Sequence, residues 1–119
     1  MKKLSDVIKE RVLVLDGAMG TMIGAVLGKV GNSDELNLNR QDIVREIHRK
    51  YLDAGADIIT TNTFSSQRIS QADYHLEDVA REMAFAGAKL AREVADKYST
   101  EEKPRFVAGS IGQIGRAHV

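Results

Sequence analysis

Two clusters of small polar residues stand where an α/β protein places its chemistry. Asp16 and Gly17 directly follow the apolar run at residues 12–15, and Asn62 belongs to the polar stretch that follows residues 56–59. A short apolar run with turn residues at its carboxyl end is typical of a buried strand in a parallel sheet. Active sites of such folds lie beyond the carboxyl ends of the strands. We therefore predict that Asp16 and Asn62 lie at one site.

The first cluster combines a carboxylate with exposed backbone N–H groups. Asp16 is suited to hold a substrate ammonium or to orient a polar group, although an aspartate that only caps a turn needs no ligand. The backbone of Gly17, Ala18, Met19 and Gly20 opens a predicted helix, and such N–H groups bind carboxylates or phosphates. A plain tight turn explains the same residues. The pattern is neither a dinucleotide fingerprint nor a phosphate-binding P-loop.

The second cluster offers an amide, a hydroxyl and an aromatic ring. Asn62, Thr63 and Phe64 are suited to line a polar pocket, and the alternative is a turn in which Asn or Thr caps the next element. The three histidines have no ligand spacing to one another, so we interpret them as surface or packing residues: His48, His75 and His118. The spacing supports neither a Ser/His/Asp triad nor a catalytic carboxylate pair.

The elements that must position these residues alternate along the chain. Helices are predicted at 5–10, 19–27, 40–54, 66–74 and 77–98, and strands at 12–15, 57–61 and 106–109. Asn39 is expected to cap the helix at 40–54, and Gly55 to stop it. Strands separated by helices imply right-handed crossovers and a parallel sheet. Three strands do not decide whether that sheet is open or closed.

Two of the helices carry clear apolar stripes that predict the core. The stripe of the helix at 40–54 comprises Ile43, Val44, Ile47, Tyr51 and Ala54. The stripe of the helix at 77–98 comprises Val79, Ala80, Met83, Gly87, Leu90, Ala91 and Val94. The frequent small residues in the second stripe favour close packing of the helix on a sheet.

The composition excludes several classes of protein. The 119 residues are 43% hydrophobic and 29% charged with zero formal net charge, which favours a globular domain and argues against a nucleic-acid partner. No apolar run approaches the roughly 20 residues of a membrane span, and no secretory signal is evident. The chain has no cysteine, so it offers no thiolate for catalysis or metal binding. We expect a cytoplasmic location.

The two polar clusters also resemble a known family. Residues 12–22 and 54–64 resemble the first two strand-and-loop segments of the homocysteine S-methyltransferase domain. Residues 72–74 and 103–112 are most similar to the homocysteine-binding module of the cobalamin-dependent methionine synthases. The resemblance implies a (β/α)8 barrel that transfers a methyl group to the thiol of homocysteine. It also implies that Asp16 lies in the homocysteine pocket, that residues 17–20 approach the substrate carboxylate, and that Phe64 and its neighbours line the pocket.

Cofactors implied by the resemblance lie outside this chain. In the family a zinc ion activates the thiol, and in the cobalamin-dependent members methylcobalamin, recharged from methyltetrahydrofolate on later domains, donates the methyl group. The family's zinc ligands are cysteines on later strands, so we expect no cofactor within these residues. Homocysteine is the expected partner, and the donor is expected to bind later domains.

A complete barrel needs about 200 to 250 residues, so we expect residues 1–112 to hold only its first three strands. Residues 113–119 do not follow the family pattern, and we interpret them as a non-matching tail. Without the family's thiolate ligands, we expect such a fragment to be inactive alone. Its open sheet edge leads us to expect self-association. Two alternatives stay open: a non-enzymatic α/β piece that only self-associates, and another thiol methyltransferase with a different donor.

Overall fold

The computed structural model describes residues 2–28, 31–66 and 68–112, with Ile69 described by its backbone alone. Predictions for residues 113–119, including His118, lie outside these ranges. The helices are α1 (Leu4–Glu10), α2 (Met19–Leu27), α3 (Leu36–Asn39), α4 (Gln41–Asp53), α5 (Arg68–Gln71) and α6 (Ala80–Tyr98). The strands are β1 (Ile58–Thr60) and β2 (Phe106–Ala108), and 3-10 turns occupy Ser33–Glu35, Ala72–Tyr74 and Glu77–Val79.

The two strands pair in parallel, as predicted. Ile59 lies opposite Val107 in the register, and α6 forms the main part of the connection between the strands. Within the described ranges, the result is a mixed α/β unit with two parallel strands, and the closed barrel stays a prediction.

The predicted strand at 12–15 is wrong as a full strand. This segment contributes one parallel bridge, between Leu15 and Ile58, on the side of β1 away from β2. Val12 is 87% exposed and Val14 57%, so the segment lacks the burial that its apolar sequence suggested. Within the described chain no strand lies on its outer side, and Leu15 alone is paired with β1.

Helix α4 starts one residue later than predicted, and its cap prediction was wrong. Asn39 is the last residue of α3, and Arg40 occupies the N-cap position of α4. Leu36 is buried, and residues 36–39 form a short helix of their own. Gly55 does follow the helix, with a φ of 106° that an L side chain rarely adopts.

The apolar stripes are largely confirmed. Ile43, Val44 and Ile47 are buried and Tyr51 is half-buried, but Ala54 is exposed because α4 ends before it. On α6 every predicted stripe residue is buried except the half-buried Val79, which belongs to the preceding 3-10 turn.

The core has two parts that share α4 and α6. The first joins α2, α3, α4 and α6 through Ile23, Leu36, Ile43, Val44, Ile47 and Leu90. The second packs α4 and α6 against the sheet through Leu52, Ile59, Ala91, Val94 and Ala95. The two helices therefore hold β1 in a fixed place and leave its carboxyl end at one edge of the molecule.

An ion pair anchors the amino end of β1. Oδ1 of Asp57 accepts a hydrogen bond from Nη2 of Arg11 at 2.8 Å, and Oδ2 accepts one from the backbone N–H of Val14 at 2.9 Å. The Arg11 guanidinium holds the pKa of Asp57 below its usual range. The contacts at the amino end of β1 therefore stabilise the fold. Across the described ranges, no helix is long and apolar enough to cross a membrane.

Candidate functional site

A cleft of about 450 Å³ opens at the carboxyl edge of the sheet. Its walls come from residues 15–17 and 19–20, from residues 60–65 at the end of β1 and beyond, from residues 31–34, and from Tyr74 and Ser110. Seven of the eight predicted site residues line it: Asp16, Gly17, Met19, Gly20, Asn62, Thr63 and Phe64. Both polar clusters of the sequence therefore meet in one place, and the eighth residue, Ala18, stands just beside it.

Asp16 is fixed by the end of the neighbouring strand. Its Oδ2 accepts a hydrogen bond from the backbone N–H of Thr60 at 2.9 Å, and its Oδ1 accepts one from the Thr60 hydroxyl at 2.9 Å. An ionised carboxylate has about four acceptor positions. Asp16 is half-buried and lines the cleft, so it keeps acceptor capacity for a ligand there.

Helix α2 begins at the cleft without a side-chain cap from any described residue. Ala18 holds the N-cap position, and Met19 and Gly20 of the first turn line the cleft. The first N–H groups of a helix have no partner within the helix and carry a partial positive charge. They complement an anionic group of a ligand.

Tyr51 of α4 supports this first turn from behind. Its hydroxyl donates to the carbonyl of Ala18 at 2.8 Å, and a Cβ on Gly17 would lie 2.8 Å from the same hydroxyl oxygen. Gly17 is therefore needed for the close approach of Tyr51. Burial, together with the nearby charge of Asp16, raises the pKa of Tyr51, so the phenol stays protonated as a donor.

The residues after β1 form a loop, residues 61–66, that is tied to the end of β2. The Thr63 hydroxyl donates to the carbonyl of Ser110 at 2.9 Å, and the N–H of Ser110 donates to Oγ1 of Thr61 at 3.0 Å. The two hydroxyl oxygens are 2.6 Å apart. Because Thr63 uses its proton on Ser110, Thr61 donates to Thr63. We call residues 61–66 the strand-end loop.

Asn62 is buried, and its amide is already engaged. Its Nδ2 donates to the carbonyl of Ser33 at 2.9 Å and to Oδ1 of Asn37 at 3.3 Å. Phe64, in contrast, is 61% exposed. Contact of either side chain with substrate stays a prediction.

The sequence analysis missed residues 31–34, which line the cleft, and Asn37 behind them, which binds the strand-end loop. Asp34 is 5% exposed and accepts hydrogen bonds from the N–H of Ser65 and the hydroxyl of Ser66, both at 2.8 Å. Burial raises the pKa of Asp34. Gln71 reaches the same region, where its Nε2 donates to the carbonyl of Ser65 at 2.8 Å. The available signal was the density of Asn, Ser and Asp between residues 32 and 37.

His48 and His75 are packing and surface residues, as predicted. His48 is fully buried in α4, and neither ring nitrogen has a hydrogen-bond partner among the described residues. Burial lowers its pKa to about 4, against a smaller opposing effect of the Asp16 charge. His75 is exposed and ends a 3-10 turn with a φ of 59°.

Comparison with known proteins identifies the family. The model of the homocysteine S-methyltransferase family matches residues 13–118. This chain belongs to the homocysteine S-methyltransferase family. The homocysteine methyltransferase MmuM from Escherichia coli, in its oxidized form, is similar with a TM-score of 0.81 and 25% identity over 92% of this chain and 40% of that one.

The metallated form of MmuM gives the same result for the fold. Its TM-score is 0.80 at 24% identity, over 92% of this chain and 41% of that one. The chain therefore spans about two fifths of the length of these structures. The likeness covers most of this chain and concerns its fold.

The described residues of this chain do not fit the zinc ion that the resemblance implies. In the part of the chain that the structure describes, no three His, Asp or Glu side chains are grouped to hold a metal. The sequence contains no cysteine. Zinc sites are built from several thiolate, imidazole or carboxylate ligands that converge on one point. We therefore assign no step of metal chemistry to these residues.

Proposed function

We propose that this chain supplies the amino-acid-binding part of a homocysteine S-methyltransferase, which transfers a methyl group to the homocysteine thiol to give methionine. The observation that carries the proposal is the shared cleft of Asp16 and the uncapped start of α2. Asp16 provides a fixed negative charge, and the start of α2 provides a set of backbone N–H donors. Together they complement the ammonium and carboxylate of one amino acid.

The charge of the cleft supports this orientation of the substrate. Its lining contains the carboxylates of Asp16 and Asp34 and, among described residues, no lysine or arginine. A substrate carboxylate therefore finds its partners in the backbone at Met19 and Gly20. Its ammonium finds them at Asp16, which Thr60 holds in place. A ligand with an anionic group alone is expected to bind poorly.

We propose further that the family activity is that of methionine synthase, with methylcobalamin as donor and zinc as activator of the thiol, both held outside these residues. The sequence resemblance at residues 72–74 and 103–112 supports this choice. The chain then binds and orients the amino acid. Because these residues offer no zinc ligand set, the 119 residues alone are expected to bind homocysteine without transferring a methyl group.

Titration calorimetry with substrate fragments tests the proposal. The 119-residue protein is titrated with L-homocysteine, with 4-mercaptobutyrate, which lacks the ammonium, and with 3-mercaptopropylamine, which lacks the carboxylate. Homocysteine is expected to bind and both fragments to bind at least about tenfold more weakly. Equal binding of 4-mercaptobutyrate and homocysteine, or no binding of homocysteine, contradicts the proposal.

A methyl-transfer assay separates the enzymatic alternatives. The protein is incubated with homocysteine, zinc and either methylcobalamin or a methyl sulfonium compound, and methionine is measured. We expect none from the isolated chain. Methionine formed from the sulfonium donor would instead favour a thiol methyltransferase of another donor class.

Self-association is the second candidate function of this chain. The exposed outer edge of residues 12–15 supports it. Val12, Val14 and Leu15 are all more than half exposed on a segment that borders β1 on one side only. Exposed apolar edges of this kind pair with other chains. We propose that a second copy covers this edge when the 119 residues stand alone.

A further inference from the structure

One buried amide joins three parts of the chain behind the cleft. Asn37 of α3 is 0% exposed. Its Nδ2 donates to the carbonyl of Asn62 at 2.6 Å and to the carbonyl of Met83 in α6 at 3.2 Å, while its Oδ1 accepts from Nδ2 of Asn62 at 3.3 Å. A buried amide is stable only when its donors and acceptors are paired. This pairing fixes the start of the strand-end loop against α6.

Gly87 of α6 provides the space that this contact needs. A Cβ at Gly87 would lie 2.6 Å from Cγ2 of Thr63 and 2.7 Å from Nδ2 of Asn37, both well inside van der Waals contact. Glycine lowers the stability of a helix interior, so a buried glycine there indicates a packing requirement. Here the requirement is the close approach of the loop and the Asn37 amide to the helix.

Asn62 and Thr63 extend this arrangement to the cleft, because both residues line it. We infer that Asn37 is a positioning residue, which sets the strand-end loop for substrate through Asn62, and that Gly87 is the helix position that permits it. The substrate in this inference rests on the proposed function, whereas the placement of the loop rests on the contacts alone. Asn37 itself does not line the cleft.

A mutant cycle measured by homocysteine affinity tests the coupling. Asn37→Ala and Gly87→Ala are each expected to weaken binding about tenfold. The double variant should lose less affinity than the product of the two single losses. Truncation of Asn37 removes one of the two clashes that a Cβ at Gly87 would make. Gly24→Ala is the matched control, since a Cβ at this helical glycine meets nothing within 4 Å. Binding by Gly87→Ala within about twofold of the parent, or strict additivity, overturns the inference.

A reporter of loop order works without any ligand. The sequence has no tryptophan, so Phe64→Trp introduces a single probe in the loop. Asn37→Ala, or the milder Gly87→Ala if the first variant fails to fold, should lower the fluorescence anisotropy of this probe while the far-UV circular dichroism stays unchanged. Unchanged anisotropy overturns the positioning role. If the parent chain binds no homocysteine, the proposed function fails while this measurement still decides the inference.

Discussion

Thr60 occupies both oxygens of the Asp16 carboxylate, one through its backbone N–H and one through its hydroxyl, each at 2.9 Å. The aspartate that stands first among the site candidates is thus oriented by the end of the neighbouring strand. Its turn role and its binding role are compatible, because the contacts to Thr60 use only part of its acceptor capacity. The carboxylate therefore approaches a ligand in a fixed orientation.

Loss of the Asp16 charge is predicted to weaken homocysteine binding. Asp16→Asn keeps an acceptor for Thr60 but removes the ionic partner of the ammonium, a charged hydrogen bond worth about 1.5–3 kcal/mol. Affinity measured by calorimetry should fall about tenfold or more. Asp42→Asn is the control, since Asp42 pairs with Arg40 on the exposed surface of α4. An equal loss of affinity for 4-mercaptobutyrate, which lacks the ammonium, would show that the Asp16 charge does not act on that group.

Substitution of Gly17 is predicted to disturb the start of α2. In Gly17→Ala the new Cβ would meet the Tyr51 hydroxyl at 2.8 Å, so Tyr51 must move away from the Ala18 carbonyl. We expect a loss of about 1–2 kcal/mol in urea unfolding, as for other overpacked sites, together with weaker homocysteine binding. Tyr51→Phe in the same background should recover part of the stability. Gly20→Ala, with open space around its Cβ in α2, should be at least as stable as the parent protein, because alanine favours a helix.

Stability is predicted to fall between about pH 6.5 and pH 4 because of His48. Burial lowers the pKa of His48 to about 4 in the folded state, while the unfolded residue titrates near 6.5. In this window the unfolded chain binds a proton that the folded chain does not, so acidification favours unfolding, by about 3 kcal/mol across the window. Above about pH 6.5 neither state binds this proton, so the burial of neutral His48 no longer favours unfolding.

Urea unfolding at about pH 7 and pH 5 checks this dependence. His48→Leu should remove most of the difference between the two conditions. The raised pKa of Asp34 acts with the opposite sign, but it is present in both proteins and cancels in the comparison. A variant with the same pH dependence as the parent would assign the effect to other groups.

The ion pair at the amino end of β1 is predicted to stabilise the fold. Asp57→Asn removes the charge that faces Arg11 and should cost about 1–3 kcal/mol in urea unfolding, because the side chain of Asp57 is only 2% exposed. Since Arg11 lowers the pKa of Asp57, this contribution is present above the ordinary carboxyl pKa and is lost as the pH falls through the folded value. Asp42→Asn, at the exposed pair with Arg40, should change stability much less than Asp57→Asn.

Self-association is predicted to depend on the outer edge of residues 12–15. Sedimentation of the 119-residue protein should show a dimer or larger species, and Val12→Lys should shift it toward monomer, because a charge on an edge strand discourages pairing. Val26→Lys is the control, since Val26 is also more than half exposed but lies on α2. A monodisperse monomer of the parent protein would rule out this assembly.

The sequence predicted which residues meet in the cleft, because that inference needed only local patterns. An apolar run followed by Asp16 or Asn62 marks the carboxyl end of a strand wherever the strand lies. Pairing of Asp16 with Thr60 depends on the register between two segments 44 residues apart. That register is set by the packing of α4 and α6, which the sequence pattern does not specify.

Asn37 and Asp34 were missed for the same physical reason. Their partners Asn62 and Ser65 follow 25 and 31 residues later in the chain, and a buried amide looks like a surface amide in sequence. The prediction of a full strand at 12–15 was wrong for a different reason. Its composition favours a strand, but β-propensity depends on burial, and Val12 and Val14 are exposed.

Two aspartates attach residues 12–16 to β1 in a reciprocal manner. Asp57 of the β1 side accepts from the backbone of Val14, and Asp16 of the other side accepts from the backbone of Thr60. These carboxylate contacts add to the backbone bonds between the two segments, from Asp16 to the carbonyl of Ile58 and from Ile58 to the carbonyl of Val14. Because Arg11 lowers the pKa of Asp57, the amide proton of Val14 should stay protected from solvent exchange in mild acid and lose protection once the Asp57 carboxylate is protonated. Exchange at Val14 thus reports how firmly the segment that carries Asp16 is attached to β1, whereas exchange at Phe106, which donates to the carbonyl of Asp57, reports on the pairing of the two strands.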